Sequence, residues 1–278
     1  MIIKHHTNKN DYCLSRSGHW IRNFANPAVK PIDVNDMSPL DDLKLVIDNE
    51  FRNSLRKYQT MEPIFHERAV IIGDGYNFEE SVKAIEELPS DVIVIGVNKA
   101  FSRWKSPRML NYYVVNNPYQ ECLYYYPQII TSWPKCIASI RTYPNFLEVY
   151  KGLLYIYSPI CGEIYSGPYK DNDFFIDDYR NSICAAIGLC YKFKVKKMML
   201  MSTLEMYQEE RSGTIPVKDG LWTYPQQKIA HDLIDANLYW MQKAKIDVCY
   251  TNSGLDYEFA TYINVADLKR FFNDGQKR

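Results

Sequence analysis

The sequence has no net charge to offer a polyanion, because 33 Lys and Arg balance 33 Asp and Glu. Sequence-independent nucleic-acid binding needs a basic surface that displaces counterions, so that class is excluded for the chain as a whole and only a local basic groove stays open. The seven cysteines (Cys13, Cys122, Cys136, Cys161, Cys184, Cys190, Cys249) are scattered and never form a C-x-x-C pair. This speaks against a disulfide framework and a zinc ribbon, and for a reducing compartment. MIIKHHTNKNDYCLSRSGHW has no apolar core of signal-peptide length. No segment reaches the roughly 18 apolar residues of a membrane span, so a cytoplasmic protein is expected. His5-His6 is too short for a metal site. HExxH, P-loop and GxSxG motifs are all missing, which leaves metal hydrolysis, P-loop phosphoryl transfer and serine hydrolysis without support. No metal and no cofactor are expected.

What is present is a regular alternation of apolar runs and helical patterns. With 278 residues and 46% hydrophobic composition, the chain has enough apolar surface for one large core. Residues 1–66 read as an N-terminal extension whose only periodic segment is Leu40 to Tyr58, a helix with Leu43, Val46, Ile47, Phe51 and Leu55 on a stripe expected to pack on the main domain. The Trp20-anchored arm SRSGHWIRNF (15–24) precedes it.

From residue 67 to 278 the runs AVIIG (69–73), DVIVIGV (91–97), NYYVVNN (111–117), CIASI (136–140), LLYIYS (153–158), KKMMLMS (196–202) and IDVCYT (246–251) predict strands. Helices are predicted at 78–88, 182–193 and 224–244, and Asn264 is the expected N-cap of a last one. Uninterrupted β-branched runs separated by helices imply strands buried on both faces. The expected fold is α/β: a Rossmann-like, mostly parallel sheet with helices on both faces, forming a single main domain behind the N-terminal extension.

In such a sheet a ligand sits beyond the carboxyl ends of the strands, and there the sequence places GDGYN, VNKAF, VNNP, STLEMYQ and YTNSG. Asn, Asp and glycine are also ordinary turn formers, but so many polar tips together favour a polar ligand. Gly73, Asp74 and Gly75 form a turn whose N-H groups, at Gly75 and Tyr76, would suit a phosphate at the start of helix 78–88. Asp74 works against that, and better suits ribose hydroxyls or a base. His231 stands one helical turn before Asp235, a carboxylate that would orient an imidazole acting as general base. Arg180 precedes the helix at Ser182, where an anion would find a guanidinium and helical N-H groups. Tyr207 comes after the strand 196–202.

The succession GDGYNFEES, VNKAF, VVNNPYQECLYYYP and YRNSICAAIGLCYKFKVKKMMLMSTLEMYQ resembles the bacterial sialyltransferases of glycosyltransferase family 42. It is also similar to the family around the archaeal 6-hydroxymethylpterin diphosphokinase and to flagellin-modifying nonulosonate transferases, which carry extra helices before the first strand. The resemblance implies a glycosyltransferase that moves a sugar from a nucleotide-sugar donor to an acceptor hydroxyl by direct displacement. Asp74 and Asn98 would hold ribose and base, with Asn117 lining the cleft. Tyr207 would stabilise the leaving phosphate, His231 would be the base, and Arg180 would lie near an anion of donor or acceptor. A glycan is the default acceptor, with a protein or a modified nucleic-acid base as alternatives. The chain departs from these relatives in reading GDGYN where they favour a Pro-Ser-Leu continuation, so donor sugar and nucleotide are left open. Pyrophosphate transfer from ATP, which needs magnesium, is the alternative enzyme reading. A non-catalytic nucleotide-binding module is the third.

Overall fold

The continuous β-branched runs fold as strands covered on both faces. A computed structural model of the chain describes residues 3–4, 12–14, 20–22, 39–56, 58–59, 61, 64–75, 77–126, 132–159, 175–176, 178, 181–203, 224–251 and 256–273. Strands β1 (Ile3–Lys4), β2 (Tyr12–Leu14) and β3 (Trp20–Arg22) pair antiparallel in a small sheet, and α1 (Pro39–Ser54) comes next. The main unit continues as β4 (Arg68–Ile72), α2 (Phe78–Glu86), β5 (Ile93–Val97), α3 (Ala100–Arg103), β6 (Tyr112–Val115) and β7 (Lys135–Ser139). Next come α4 (Pro144–Val149), β8 (Leu154–Pro159), β9 (Phe175–Ile176), α5 (Ser182–Lys192) and β10 (Lys197–Met201). It ends with α6 (Tyr224–Lys243), β11 (Asp247–Thr251), β12 (Thr261–Tyr262) and α7 (Leu268–Asn273).

Nine strands make one sheet, in the order β12-β11-β10-β4-β5-β6-β7-β8-β9, and every neighbouring pair is parallel. The expected α/β architecture is therefore the observed one. Two edge strands lie where the sequence shows no apolar run, β9 within the loop 161–180 and β12 after β11. Each is two residues long, too short to imprint a pattern.

Alternation along the strands divides the core. Ala69 and Ile71 of β4 face α5 and α6, whereas Val70 and Ile72 face Phe78 of α2, Phe101 of α3, Phe146 of α4 and Phe272 of α7. Small Ala185 and Ala186, both fully buried, let α5 lie close on the sheet. Helix α2 stops where the Arg108 guanidinium donates to the carbonyls of Ile85, Leu88, Pro89 and Val92. Asn264 starts a 3-10 turn (Val265–Asp267) that leads into α7, but its side chain caps nothing; its carboxamide oxygen instead faces the Tyr262 hydroxyl at 3.4 Å.

Helix α1 reverses the expectation of an apolar seam. Val46 is buried, yet Ile47, Phe51 and Leu55 are 45%, 62% and 71% exposed. The face turned inward carries Asn49, Glu50 and Asn53. Asn49 Nδ2 donates to the carbonyls of Pro118 and Arg141 at 2.9 and 3.1 Å, and Asn53 Nδ2 to those of Ile140 and Thr142 at 2.7 and 2.8 Å. These carbonyls lie just past β6 and β7, where the ladder has ended and a buried acceptor needs another donor. An apolar stripe in that place would orphan all four. Beside them Arg141 Nε donates to Glu50 Oε1 at 2.6 Å in an ion pair shielded from water. Burial pushes the Glu50 carboxyl up and Asp178 adds to this, while Arg141 pulls it down.

Removing one partner of a buried pair leaves the other charge uncompensated. Arg141→Met is expected to cost about 3–5 kcal/mol in denaturant unfolding. Leu55→Ser, on the exposed stripe, should stay within about 0.5 kcal/mol. A larger loss at Leu55 would contradict the polar seam.

Candidate functional site

Strand β4 lies between β10 and β5, so the chain leaves it in one direction for β5–β9 and returns on its other side as β10–β12. In an open parallel sheet the crevice beyond the carboxyl ends at such a reversal is the ligand position. Gly73, Asp74 and Gly75 lie past β4, Asn98 past β5, Asn116 and Asn117 past β6, and Ser202 and Thr203 past β10. Arg180 and Tyr207 lie outside the described residues, as do Tyr76 and Glu205.

Two N-H groups of the glycine turn are already taken within the fold. Gly73 N-H donates to the Met201 carbonyl at 3.0 Å and Gly75 N-H to that of Ser202 at 2.8 Å, so both are engaged across the β4–β10 junction. A β-carbon on Gly73 would overlap the Ser202 carbonyl oxygen, which is the physical requirement for glycine there. Helix α2 presents Glu79 and Glu80 in its first turn, which disfavours an anion. The group the turn offers is the half-buried side chain of Asp74. Burial pushes its carboxyl up, against the pull of Lys99, its own backbone and Arg103. Arg103 braces the loop: it donates to the Asp74 carbonyl at 2.5 Å, pairs with Glu79 at 2.7 Å and stacks 4.3 Å above the Phe78 ring. Ser202, in the left-handed region with φ 49, bonds Ser81 of α2 through their hydroxyls at 2.8 Å.

Asn98 is pinned on every side but one. Its backbone is left-handed, with φ 46, its N-H donates to Val114 O at 3.2 Å, and its carbonyl accepts from Phe101 N at 3.4 Å. Its Oδ1 accepts from the Ser182 hydroxyl at 2.8 Å. Helix α5 is held in turn by Asn181, whose side chain caps Ile183 N and Cys184 N, and whose N-H donates to Asp178 O at 2.6 Å. The buried Asp178 carboxylate accepts from Asn116 Nδ2 at 2.8 Å and from the Tyr157 hydroxyl at 2.7 Å. Asn117, expected to line the cleft, uses its amide inside its own loop, accepting from Tyr119 N at 2.8 Å and donating to the Tyr125 hydroxyl at 2.7 Å. Sequence reasoning passed over Ser182, Asn116 and Asp178. Ser182 was visible only as a helix start, and the other two gain meaning from each other across 62 residues.

His231 reaches the same edge, but not with the expected partner. Asp235 accepts from Phe259 N at 3.1 Å, while Asp232 stands 3.3 Å from His231 Nδ1. His231 Nε2 donates to the Asp256 carbonyl at 2.5 Å, and its ring stacks on Tyr257, whose hydroxyl meets Thr203 past β10 at 2.8 Å. Burial opposes charge on the imidazole, but Asp232, the Asp256 carbonyl and Asp235 together outweigh it and raise the pKa above 6.5. Tyr250, pushed up to about 12 chiefly by burial, stays protonated and donates to Asp256 Oδ1 at 2.8 Å. A raised histidine contributes stability that is complete below its unfolded value and fades as pH rises through the folded one. The melting temperatures of wild type and His231→Gln should therefore differ most below pH 6.5 and draw together as the pH rises above it. A gap that widens with pH would contradict the charged contacts.

Among the described residues no helix is long and apolar enough to cross a membrane, and no group of three His, Cys, Asp or Glu is arranged to hold a metal. A parallel sheet with helices on both faces and polar loops gathered at the carboxyl edge of its reversal defines a Rossmann-like α/β protein. The fold is similar to that of the MAf glycosyltransferase from Magnetospirillum magneticum AMB-1, with a TM-score of 0.61 and 13% identity. The match covers 80% of this chain and 38% of that one, so the chain spans well under half the length of its neighbour. At that identity the likeness is one of fold. No protein-family model and no curated protein matches the sequence.

Proposed function

We propose that the chain transfers a sugar from a nucleotide-activated donor to an acceptor hydroxyl. The observation that carries the reading is the pairing, on adjacent strand tips at the sheet reversal, of the acceptor Asp74 with the donor-bearing Asn98. Ribose hydroxyls suit the first and an acceptor on the nucleotide suits the second. The fold shared with a protein described as a glycosyltransferase supports the same class, and the resemblance to family 42 supports the finer assignment.

In this reading the acceptor oxygen bonds to the anomeric carbon as the bond to the nucleotide phosphate breaks, and the acceptor proton passes to Nδ1 of His231, since Nε2 carries the proton donated to the Asp256 carbonyl. Arg180 and Tyr207 would neutralise donor or leaving-group charge where it develops. His231 can take a proton only when its ring is neutral, and its raised pKa makes the rate climb with pH above about 6.5. His231→Ala should lower turnover about 100-fold or more and abolish that rise. A pH profile unchanged in the variant would remove the base.

Binding is tested first by thermal shift with CMP-, UDP- and GDP-sugars. One of them should stabilise the wild type, by about 2.7 kcal/mol at a hundred times its Kd. Asp74→Ala should lose that shift while keeping its own melting temperature within a few degrees. If no nucleotide sugar shifts the melting temperature and ATP is consumed with magnesium and a hydroxymethyl acceptor, pyrophosphate transfer replaces this reading.

A further inference from the structure

The Asn98 side chain has two ends, and Ser182 decides which one meets the ligand. Ser182 is 4% exposed, and its hydroxyl has one hydrogen-bond partner among the described residues, the Asn98 carboxamide at 2.8 Å. A buried hydroxyl that only accepted would leave its own proton orphaned. In the structure Ser182 donates, and the atom it meets is Oδ1, since an amide nitrogen cannot accept. Nδ2 is then turned to the other side, away from Ser182, and it has no partner among the described residues. The backbone bonds of Asn98 to Val114 and Phe101 and its left-handed φ of 46 keep the residue from pivoting, and the Asn181 cap keeps Ser182 in place at the start of α5.

We infer that Ser182 is a positioning residue that locks the Asn98 amide so that the tip of β5 is a fixed hydrogen-bond donor, selecting an acceptor-only group of the bound nucleotide. This rests on the proposed function. Base carbonyl oxygens, ring imine nitrogens and phosphate oxygens accept and cannot donate, whereas ribose hydroxyls do both and also satisfy the acceptor-only carboxylate of Asp74 on the neighbouring tip. The division of labour is hydroxyls at β4 and an acceptor-only atom, of base or phosphate, at β5. An amide free to flip would accept as readily as it donates, and would read neither group.

The test joins one measurement without ligand to one with it. In the ligand-free protein, side-chain ¹⁵N relaxation should show the Asn98 amide restrained in wild type and mobile in Ser182→Ala, with the melting temperature lowered by no more than a few degrees. Affinity for whichever of CMP, UDP or GDP binds should fall about three- to tenfold in Ser182→Ala, the loss of one oriented hydrogen bond. Asn98→Asp, which keeps the Ser182 bond and tolerates the left-handed backbone, turns the ligand-facing donor into an acceptor and should lose about 30-fold or more. In an Asn98→Gly background, Ser182→Ala should cost nothing further, because there is no amide left to orient. An Asn98 amide equally restrained in both proteins, or an unchanged affinity of Ser182→Ala for a nucleotide the wild type binds, overturns the inference and leaves the proposed function standing. A wild type that binds none of the three nucleotides overturns the proposed function and, with it, the assignment of Asn98 as a ligand donor.

Discussion

Gly73 lies against the carbonyl of Ser202 with no room for a β-carbon, and the arrangement of the strand tips depends on that contact. It brings the ends of β4 and β10 together at the sheet reversal and engages the N-H groups of Gly73 and Gly75 with β10. Asp74 is left as the group the turn can offer. Ser202 takes a left-handed backbone and reaches Ser81 of α2, so a helix start, a glycine turn and a strand end are fixed as one unit. A phosphate cradle needs free N-H groups, and the close approach takes those of Gly73 and Gly75.

Away from this junction, polar groups at the carboxyl edge are matched to one another. Asn49 and Asn53 cover the carbonyls past β6 and β7, Glu50 pairs with Arg141, and Asn116, Tyr157 and Asn181 converge on Asp178. In such a buried network each amide donor needs an acceptor, and the Nδ2 atoms of Asn49, Asn53 and Asn116 all have one. Among the described strand-tip residues, Asp74 and the Nδ2 of Asn98, next to the reversal, are side-chain groups that the fold leaves turned toward a ligand.

The strands were legible because runs such as AVIIG and DVIVIGV are long, β-branched and uninterrupted. Helix α5 was legible from its small residues. The inward face of α1 was not, since Ile47, Phe51 and Leu55 make the better apolar stripe, and the carbonyls that attract Asn49 and Asn53 are 69 to 92 residues away. Distance hid the meaning of GDG in the same way: glycine before a helix reads as an anion site until β10 arrives, some 130 residues later, to claim its N-H groups. Asp235 was the natural partner for His231 by helical spacing, but Phe259 N takes it, and the adjacent Asp232 reaches the imidazole because the ring is turned against Tyr257. The site was thus readable as a set of strand tips, while the role of each tip depended on contacts between distant segments.

The central claim is that a nucleotide binds at the carboxyl edge where β4 meets β10 and β5. Backbone amide shifts followed by NMR during titration with CMP, UDP and GDP test it most directly. One of the three should move Gly73 to Gly75, Asn98, Lys99, Ser202 and Thr203 together and leave the amino-terminal ends of the same strands, Arg68, Ile93 and Lys197, unmoved. Shifts centred on those amino-terminal ends, or none with any of the three, would contradict it.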